Sequence, residues 1–486
     1  MKKRILFSHS YFLRFDPKQW ATGQPYAPLG TLYAAALLRE HGYEVALFDT
    51  MFATGPEALV AEIEKYKPDF FVIYDDGFNY LTKMCLTNMR EAAFAMSRIA
   101  KEKSCTVIVS GSDSTDHFQQ YLDEGADFIL LGEAELSLLE LANAINSQNT
   151  DYSGIQGLAY KQEGHTIKTA KRSVLKNLDS LPLPAWDLVD IQPYREMWKR
   201  SSGYFSLNIA TTRGCPFKCN WCAKPIYGNR YNTRSPEQVV KELKMLKEKF
   251  RFDHIWFCDD IFGLKPGWVE TFAGLVEKEQ LHFKFKIQAR ADLLLQENYI
   301  KALARSGCDN VWMGAESGSQ KILDAMDKGI SVEEIYTATN LLKKNGIKPS
   351  LFIQFGYLNE TKEDIQKTIE MINELLPHSI GISVSYPLPG TVFYEKVKTL
   401  MKEKQNWTDS DELTVMFNNV YSPEFYKQLH RYIHAHFHRI KAVEQVRKII
   451  HHPLQTQFSL LAQILKTPYY IVREKIHKRK LDAVQL

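Results

Sequence analysis

No run of about 18 consecutive apolar residues occurs in the chain, so a membrane-spanning helix is not expected. An excess of one charge is also lacking: 61 Lys and Arg face 57 Asp and Glu, a formal net charge of +4. A dedicated nucleic-acid binder would usually show a basic face, so that class is set aside. Cysteine is sparse and odd in number, seven in 486 residues, and three of the seven crowd into one loop. That argues against a disulfide framework and for a reducing cytoplasm and a metal site. Internal repeats and low-complexity tracts are absent. After Met1-Lys2-Lys3-Arg4, only Ile5-Leu6-Phe7 are apolar before Ser8, His9 and Ser10 return. A signal peptide needs a longer apolar region, so a buried first strand is the expectation.

What is present is the composition of an ordinary globular protein, 45% hydrophobic and 24% charged, with length enough for about three domains. In residues 1–147, short apolar runs at Arg4–Phe7, Val45–Phe48, Phe70–Tyr74, Thr106–Val109 and Phe128–Leu131 alternate with helical stretches. The pattern predicts a doubly wound parallel sheet, Rossmann-like, with a ligand crevice beyond the carboxyl ends of its strands. Residues 148–203 read as a linker with a hairpin at Gly157–Lys168, followed by the extended Leu181-Pro182-Leu183-Pro184. From 204 to 395 the alternation resumes. Strands are expected at Ser206–Ala210, His254–Phe257, Phe283–Ile287, Asn310–Met313, Leu351–Phe355 and Ile380–Val384. Six such βα units predict a partial (βα)6 barrel, with reactive groups at the carboxyl ends of its strands. Residues 396–486 are expected to be helical.

Cys215, Cys219 and Cys222 follow the first barrel strand directly, in Thr211-Thr212-Arg213-Gly214-Cys215-Pro216-Phe217-Lys218-Cys219-Asn220-Trp221-Cys222. Thiolates are the usual ligands of iron–sulfur clusters. Three of them can hold three irons of a [4Fe–4S] cubane and leave the fourth iron open to another ligand. A structural zinc site would need a fourth closed ligand, and no Cys or His pair lies nearby in sequence. Cys85, Cys105, Cys258 and Cys308 sit singly in apolar stretches and read as small buried hydrophobes.

These three cysteines, with Trp221 before the last, resemble the cluster loop of the radical S-adenosylmethionine superfamily. That resemblance implies a βα-barrel and an open iron chelated by S-adenosylmethionine. One-electron reduction would then release methionine and a 5′-deoxyadenosyl radical. Further segments match in order. Phe257-Cys258-Asp259-Asp260 resembles the segment holding the methionyl amino group, which implicates Asp259 or Asp260; their plainer reading is a stabilised helix start. Ala289-Arg290-Ala291-Asp292 resembles the stretch after the third strand, bringing in Arg290. Gly314-Ala315-Glu316-Ser317-Gly318 resembles the segment approaching the nucleoside, which implicates Gly314, Glu316 and Ser317. Gly356 to Thr361 resembles the fifth-strand glycine motif but has Leu358-Asn359 where the family commonly has Pro-Gly.

The order of domains resembles the cobalamin-dependent branch of that superfamily. So do Tyr26 to Leu38 and Gly125 to Glu135, and the resemblance covers roughly residues 1–395. It implies that Ser110, Gly111, Ser112, Gly132 and Glu133 line a cobalamin pocket. Gly111-Ser112-Asp113-Ser114 stands where the branch often has Gly-Pro-His-Pro. No Asp-x-His-x-x-Gly motif is present, so no protein histidine is expected on cobalt through it. The function implied is methylation of a carbon in a small-molecule substrate, with an electron donor such as flavodoxin or ferredoxin. The alternatives are radical cyclisation or rearrangement without net methylation, and a non-catalytic cobalamin or redox sensor. His430, His434 and His438 recur at helical spacing and read as a packed or solvated face, with a metal site as the alternative. The tail from Phe458 reads as a docked helix, with peripheral membrane contact as the alternative.

Overall fold

Strands buried on both faces should be continuous apolar runs, and the first sheet is made of such runs. A computed structural model of the chain describes residues 3–451 and 466–484. In it β1 (Arg4–Ser8), β2 (Glu44–Phe48), β3 (Phe70–Tyr74), β4 (Thr106–Ser110) and β5 (Phe128–Leu130) pair in parallel in the order β2-β1-β3-β4-β5. Ile5, Phe7, Val72 and Ile108 pack with Leu37, Leu38 and Leu138 of the helices Leu29–Glu40 and Glu135–Asn146. Leu6, Phe71, Ile73 and Val107 pack on the opposite face with Ile63 and Met96 of the helices Leu59–Tyr66 and Thr87–Glu102. The sheet is therefore doubly wound, and its topological switch lies between β1 and β3, the position at which such sheets bind ligands. β6 (Leu158–Gln162) and β7 (His165–Lys168) continue this sheet antiparallel on the β5 edge. The sequence reading assigns that hairpin to the linker. In the structure the apolar Leu158, Ala159 and Tyr160 make it part of both sheet cores.

The second sheet joins β8 (Ser206–Ile209), β11 (His254–Phe257), β12 (Lys284–Ala289), β13 (Cys308–Glu316), β14 (Lys348–Phe355) and β15 (Ser379–Val384), all parallel and in that order. Between β8 and β11 the chain forms a two-stranded ribbon, β9 (Thr212–Arg213) with β10 (Asn232–Thr233). Alternate residues such as Ile287, Val311, Met313 and Leu351 are fully buried in the core. The residues between them face the lumen of the partial barrel.

Residues after Val397 differ from the helical expectation. Residues 401–421 hold no helix, and their only regular pairing among the described residues is the bridge Met401–Phe417. Asn406, Thr408, Asp409, Ser410 and Asp411 offer the backbone local side-chain partners that compete with helix, as in Thr408 N–H to Glu412 and Asp411 N–H to Asp409. This segment straps the two sheets together. Thr87 N–H donates to Trp407 O at 2.8 Å, Ser410 Oγ–H donates to Asp16 at 2.9 Å, and Trp407 stacks on Tyr386 at 4.3 Å. Helices Pro423–His451 and Thr467–Ala483 follow, joined through His436, whose ring nitrogens lie 2.7 Å from Glu474 and 2.6 Å from Asn373. His430 and His434 pack ring against ring, and His438 stacks on Tyr470. Burial depresses all three, His430 to about 3 and His434 to about 4, as for packed neutral imidazoles. Phe458, Leu461 and Ile464 lie outside the described residues. Among the described residues no helix is long and apolar enough to cross a membrane.

Candidate active site

The cysteine loop is rooted by Asp259 at the end of β11. Its carboxylate accepts from Thr211 N–H at 2.7 Å, Thr212 N–H at 2.9 Å and the Thr211 hydroxyl at 2.5 Å. Burial still raises its carboxyl to about 7. Asp259 thus holds the root of the loop. Gly214 turns the chain at φ +79°, and a Cβ there would meet Arg230 O at 2.3 Å, so only glycine closes this loop. Asn220 bolts the loop to the barrel. It donates to Ala325 O and Asp327, accepts from Tyr357 Oη–H, and its backbone bonds Met326 O and Phe393 N–H.

Cys215, Cys219 and Cys222 are free and partly exposed on this frame. Burial pushes the Cys215 thiol up and the Cys222 thiol up to about 12, against the opposing Lys224 ammonium. The bare Cys215 and Cys222 thiols hold their protons, and a metal must displace them on binding. Among the described residues no three Cys, His, Asp or Glu side chains converge on a point that one ion could occupy. A cubane takes each thiolate on a different iron, and three cysteines on one loop are a donor set of that kind.

Three cations surround the loop. Arg290 Nη1 lies 3.9 Å from Cys219 Sγ, and its guanidinium covers the Phe217 ring at 3.7 Å. Arg290 also donates to Lys328 O and Gly329 O and pairs with Asp292. Lys328 Nζ pairs with Glu316 at 2.7 Å, both nearly buried. Gly314 lies directly against this pair, and a Cβ there would meet Lys328 Nζ at 2.6 Å and Glu316 Oε1 at 2.7 Å. Lys83 of the first domain reaches Asp260 at 2.6 Å. Ser317 is turned inward, its hydroxyl 3.1 Å from Thr368 and accepting from Ser319 N–H. Gly356, at φ +77°, is backed by Tyr426 and Val415 and donates its N–H to Glu360.

The second half of the cysteine loop docks on the strand ends of the first sheet. Tyr227 Oη lies 3.2 Å from the position a Gly77 Cβ would take, and Ile226 O lies 3.7 Å from that of Gly132. Arg213 crosses between the domains and pairs with Glu133 and with Glu135, the latter at 2.7 Å. Its guanidinium sits 5.2–5.6 Å from the rings of Tyr33, Phe78 and Tyr227. Glu133 also accepts from Leu175 N–H. Its carboxylate is therefore engaged by protein on both oxygens and anchors the interface. Gly111 packs on Asp75, whose side chain is 3.0 Å from a would-be Cβ, and Asp75 accepts from Ser10 N–H and Oγ–H. Ser110 O accepts from Asp75 N–H. Ser112 Oγ is buried with no hydrogen-bond partner. An orphaned buried hydroxyl just beyond the end of β4 has room in its hydrogen bonding for a polar ligand.

Sequence reasoning missed Lys83, Arg213, Asn220 and Lys328. Arg213 and Asn220 were visible in the cysteine loop, but their partners lie about 80 and 105 residues away in sequence.

The Radical SAM superfamily matches residues 209–372, and the B12 binding domain matches residues 21–142. An uncharacterized methyltransferase of Pyrococcus horikoshii is 28% identical over 374 residues, covering 76% of this chain and 78% of that protein. The anaerobic magnesium-protoporphyrin IX monomethyl ester cyclase of Rubrivivax gelatinosus is 26% identical over 423 residues, covering 83% of this chain and 72% of the cyclase. The cobalamin-dependent S-adenosylmethionine radical enzyme OxsB, solved with aqua-cobalamin bound, shares the fold with a TM-score of 0.72 at 16% identity, covering 98% of this chain and 72% of OxsB.

Proposed function

The chain belongs to the cobalamin-dependent radical S-adenosylmethionine enzymes, and on that premise we propose that it methylates a carbon of a small biosynthetic substrate. One observation carries the reading. A single cysteine loop is wedged between the strand ends of two sheets, its cysteines beside Arg290 of the barrel and its far half against Gly77 and Gly132 of the first domain. In this reading Cys215, Cys219 and Cys222 hold the [4Fe–4S] cluster. Asp260, Arg290, Gly314, Glu316 and Gly356 form the S-adenosylmethionine side, with Asp259 and Ser317 shaping the backbone behind them. Ser110, Gly111, Ser112 and Gly132 form the cobalamin side. Bound there, these groups supply a hydrogen-abstracting carbon radical and a transferable methyl group.

The chain's own residues bind, orient and exclude water. Arg290 and Lys328 offset the negative charge that gathers on thiolates and on a carboxylate ligand. Glu316 is held by Lys328 with its second oxygen left for a hydroxyl donor. Arg213 and the 401–421 strap hold the domains closed, which keeps solvent from a radical. A one-electron donor of the flavodoxin or ferredoxin kind, in a reducing cytoplasm, completes the scheme.

Cyclisation without net methylation is the second reading, favoured by the relative from Rubrivivax. Anaerobic incubation with deuteromethyl S-adenosylmethionine and candidate substrates from neighbouring biosynthetic genes separates the two. Methylation predicts product carrying the deuterated methyl group. Unlabelled, cyclised product would sink it.

A further inference from the structure

The barrel lumen holds a cation that the scheme above does not use. On the lumen side of β12–β14, Lys286, Gln288, Trp312, Gly314 and Phe352 keep accessible surface, whereas Ser350 and Gln354 are buried. The lumen side is therefore incompletely packed around Lys286, Gln288 and Trp312. Trp312 and Phe352 stack at 4.7 Å and 27° to form an aromatic wall. Gly381 backs that wall, and a Cβ there would meet Trp312 at 3.1 Å and Phe352 at 3.3 Å.

Lys286 is four residues before Arg290, so it lies about 13 Å deeper along the strand. Its ammonium is 5.4 Å from the ring centroids of Tyr26 and Trp256 and 6.0 Å from that of Trp198. These are near the outer limit of cation–π contact, so the rings surround the charge without saturating its three donors. Among the described residues it forms no hydrogen bond or ion pair. The nearest carboxylate it feels, Asp309, is already bonded to Lys348 at 3.1 Å. Burial lowers its ammonium to about 8. The same layer, by the register Asn208–Trp256–Lys286, holds a second unmet group: Asn208 Oδ1 is buried with no partner. An unmet donor and an unmet acceptor in one layer point to a polar ligand rather than a structural role.

We propose that Lys286 anchors a carboxylate of the substrate, whose flat unsaturated body lies against the Trp312–Phe352 wall. A single free ammonium, with no second unpaired cation beside it among the described residues, matches a monoanion better than a phosphate dianion. The inference rests on the proposed function for its small substrate, places that substrate in the barrel lumen and names its class.

The test is equilibrium binding of a matched probe pair, 2-naphthoate and 2-naphthamide, to the anaerobically reconstituted holoenzyme. It needs no turnover, so its failure is distinct from failure of the methylation reading. Wild type should bind the carboxylate at least about ten-fold more tightly than the amide. Lys286→Met should erase that preference and leave amide affinity within about two-fold, whereas Lys286→Arg should keep it. The melting temperature of Lys286→Met should equal or exceed that of wild type, because an unpaired, partly desolvated charge is removed. Equal binding of the two probes to wild type, binding of neither at about 1 mM, or an undiminished preference in Lys286→Met would overturn the proposal. So would a melting temperature lowered by more than about 3 °C, which would mark Lys286 as a structural staple of its three rings.

Discussion

Arg213→Met deletes the guanidinium that joins Glu133 and Glu135 across the domain interface, where all three side chains are at most 7% exposed. Each contact is worth about 4 kcal/mol of gross attraction at an effective dielectric near 20. Desolvation of three ions offsets much of this, and removing one partner of such a buried network costs about 3–5 kcal/mol because the others are left unpaired. Proton uptake caps the loss, since burial and the neighbouring Glu135 already raise the Glu133 carboxyl. The expected loss in urea unfolding of the metal-free protein, followed by tryptophan fluorescence near neutral pH, is therefore about 3–5 kcal/mol. The triple variant Arg213→Met, Glu133→Gln, Glu135→Gln should recover at least about half of that, because no buried charge remains unpaired. A loss below about 1 kcal/mol in the single variant, or a triple variant no better than the single, would refute the coupled-triad account.

Glu360 is fully buried, with one oxygen accepting from Gly356 N–H and the other unpartnered; burial raises its carboxyl to about 8. A raised carboxyl contributes stability below its unfolded value and loses it as pH rises through the folded one. Melting temperature should thus fall more steeply for wild type than for Glu360→Gln between about pH 6 and about pH 9; parallel curves would contradict the burial argument. Gly111→Trp, whose side chain starts 3.0 Å from Asp75, should lower cobalamin occupancy at least about ten-fold with iron content unchanged; retained cobalamin would move the pocket elsewhere. Gly214→Ala should cut iron incorporation severely, because its Cβ collides with Arg230 O, and full iron loading would show that the loop tolerates another path.

The strands were legible because parallel strands buried on both faces leave unbroken apolar runs, and every expected strand from Arg4 to Val384 was found within two residues of an observed one except the start of β14 and the end of β13. The cysteine loop was legible because its ligands are local in sequence. What failed was long-range. The partners of Asp259 and Glu133 could not be read from the sequence: the backbone of Thr211 and Thr212 for the first, and Arg213 with Leu175 N–H for the second. The segment 401–421 carried apolar residues that suggested helix, and its Asn, Thr and Asp side chains turned it into a strap instead. Lys328 and Lys83 belong to stretches with no motif and enter the site only through the fold.

The central claim is that cluster and cobalamin work on one substrate across one interface. The most direct test is anaerobic reconstitution followed by reduction in the presence of S-adenosylmethionine, reading iron, cobalamin and 5′-deoxyadenosine on wild type and Cys219→Ala. The account predicts about four irons, one bound cobalamin and 5′-deoxyadenosine from wild type, with Cys219→Ala losing the nucleoside product while keeping cobalamin. A wild-type protein that binds no cobalamin under any condition, or a Cys219→Ala protein that still makes 5′-deoxyadenosine, would contradict it.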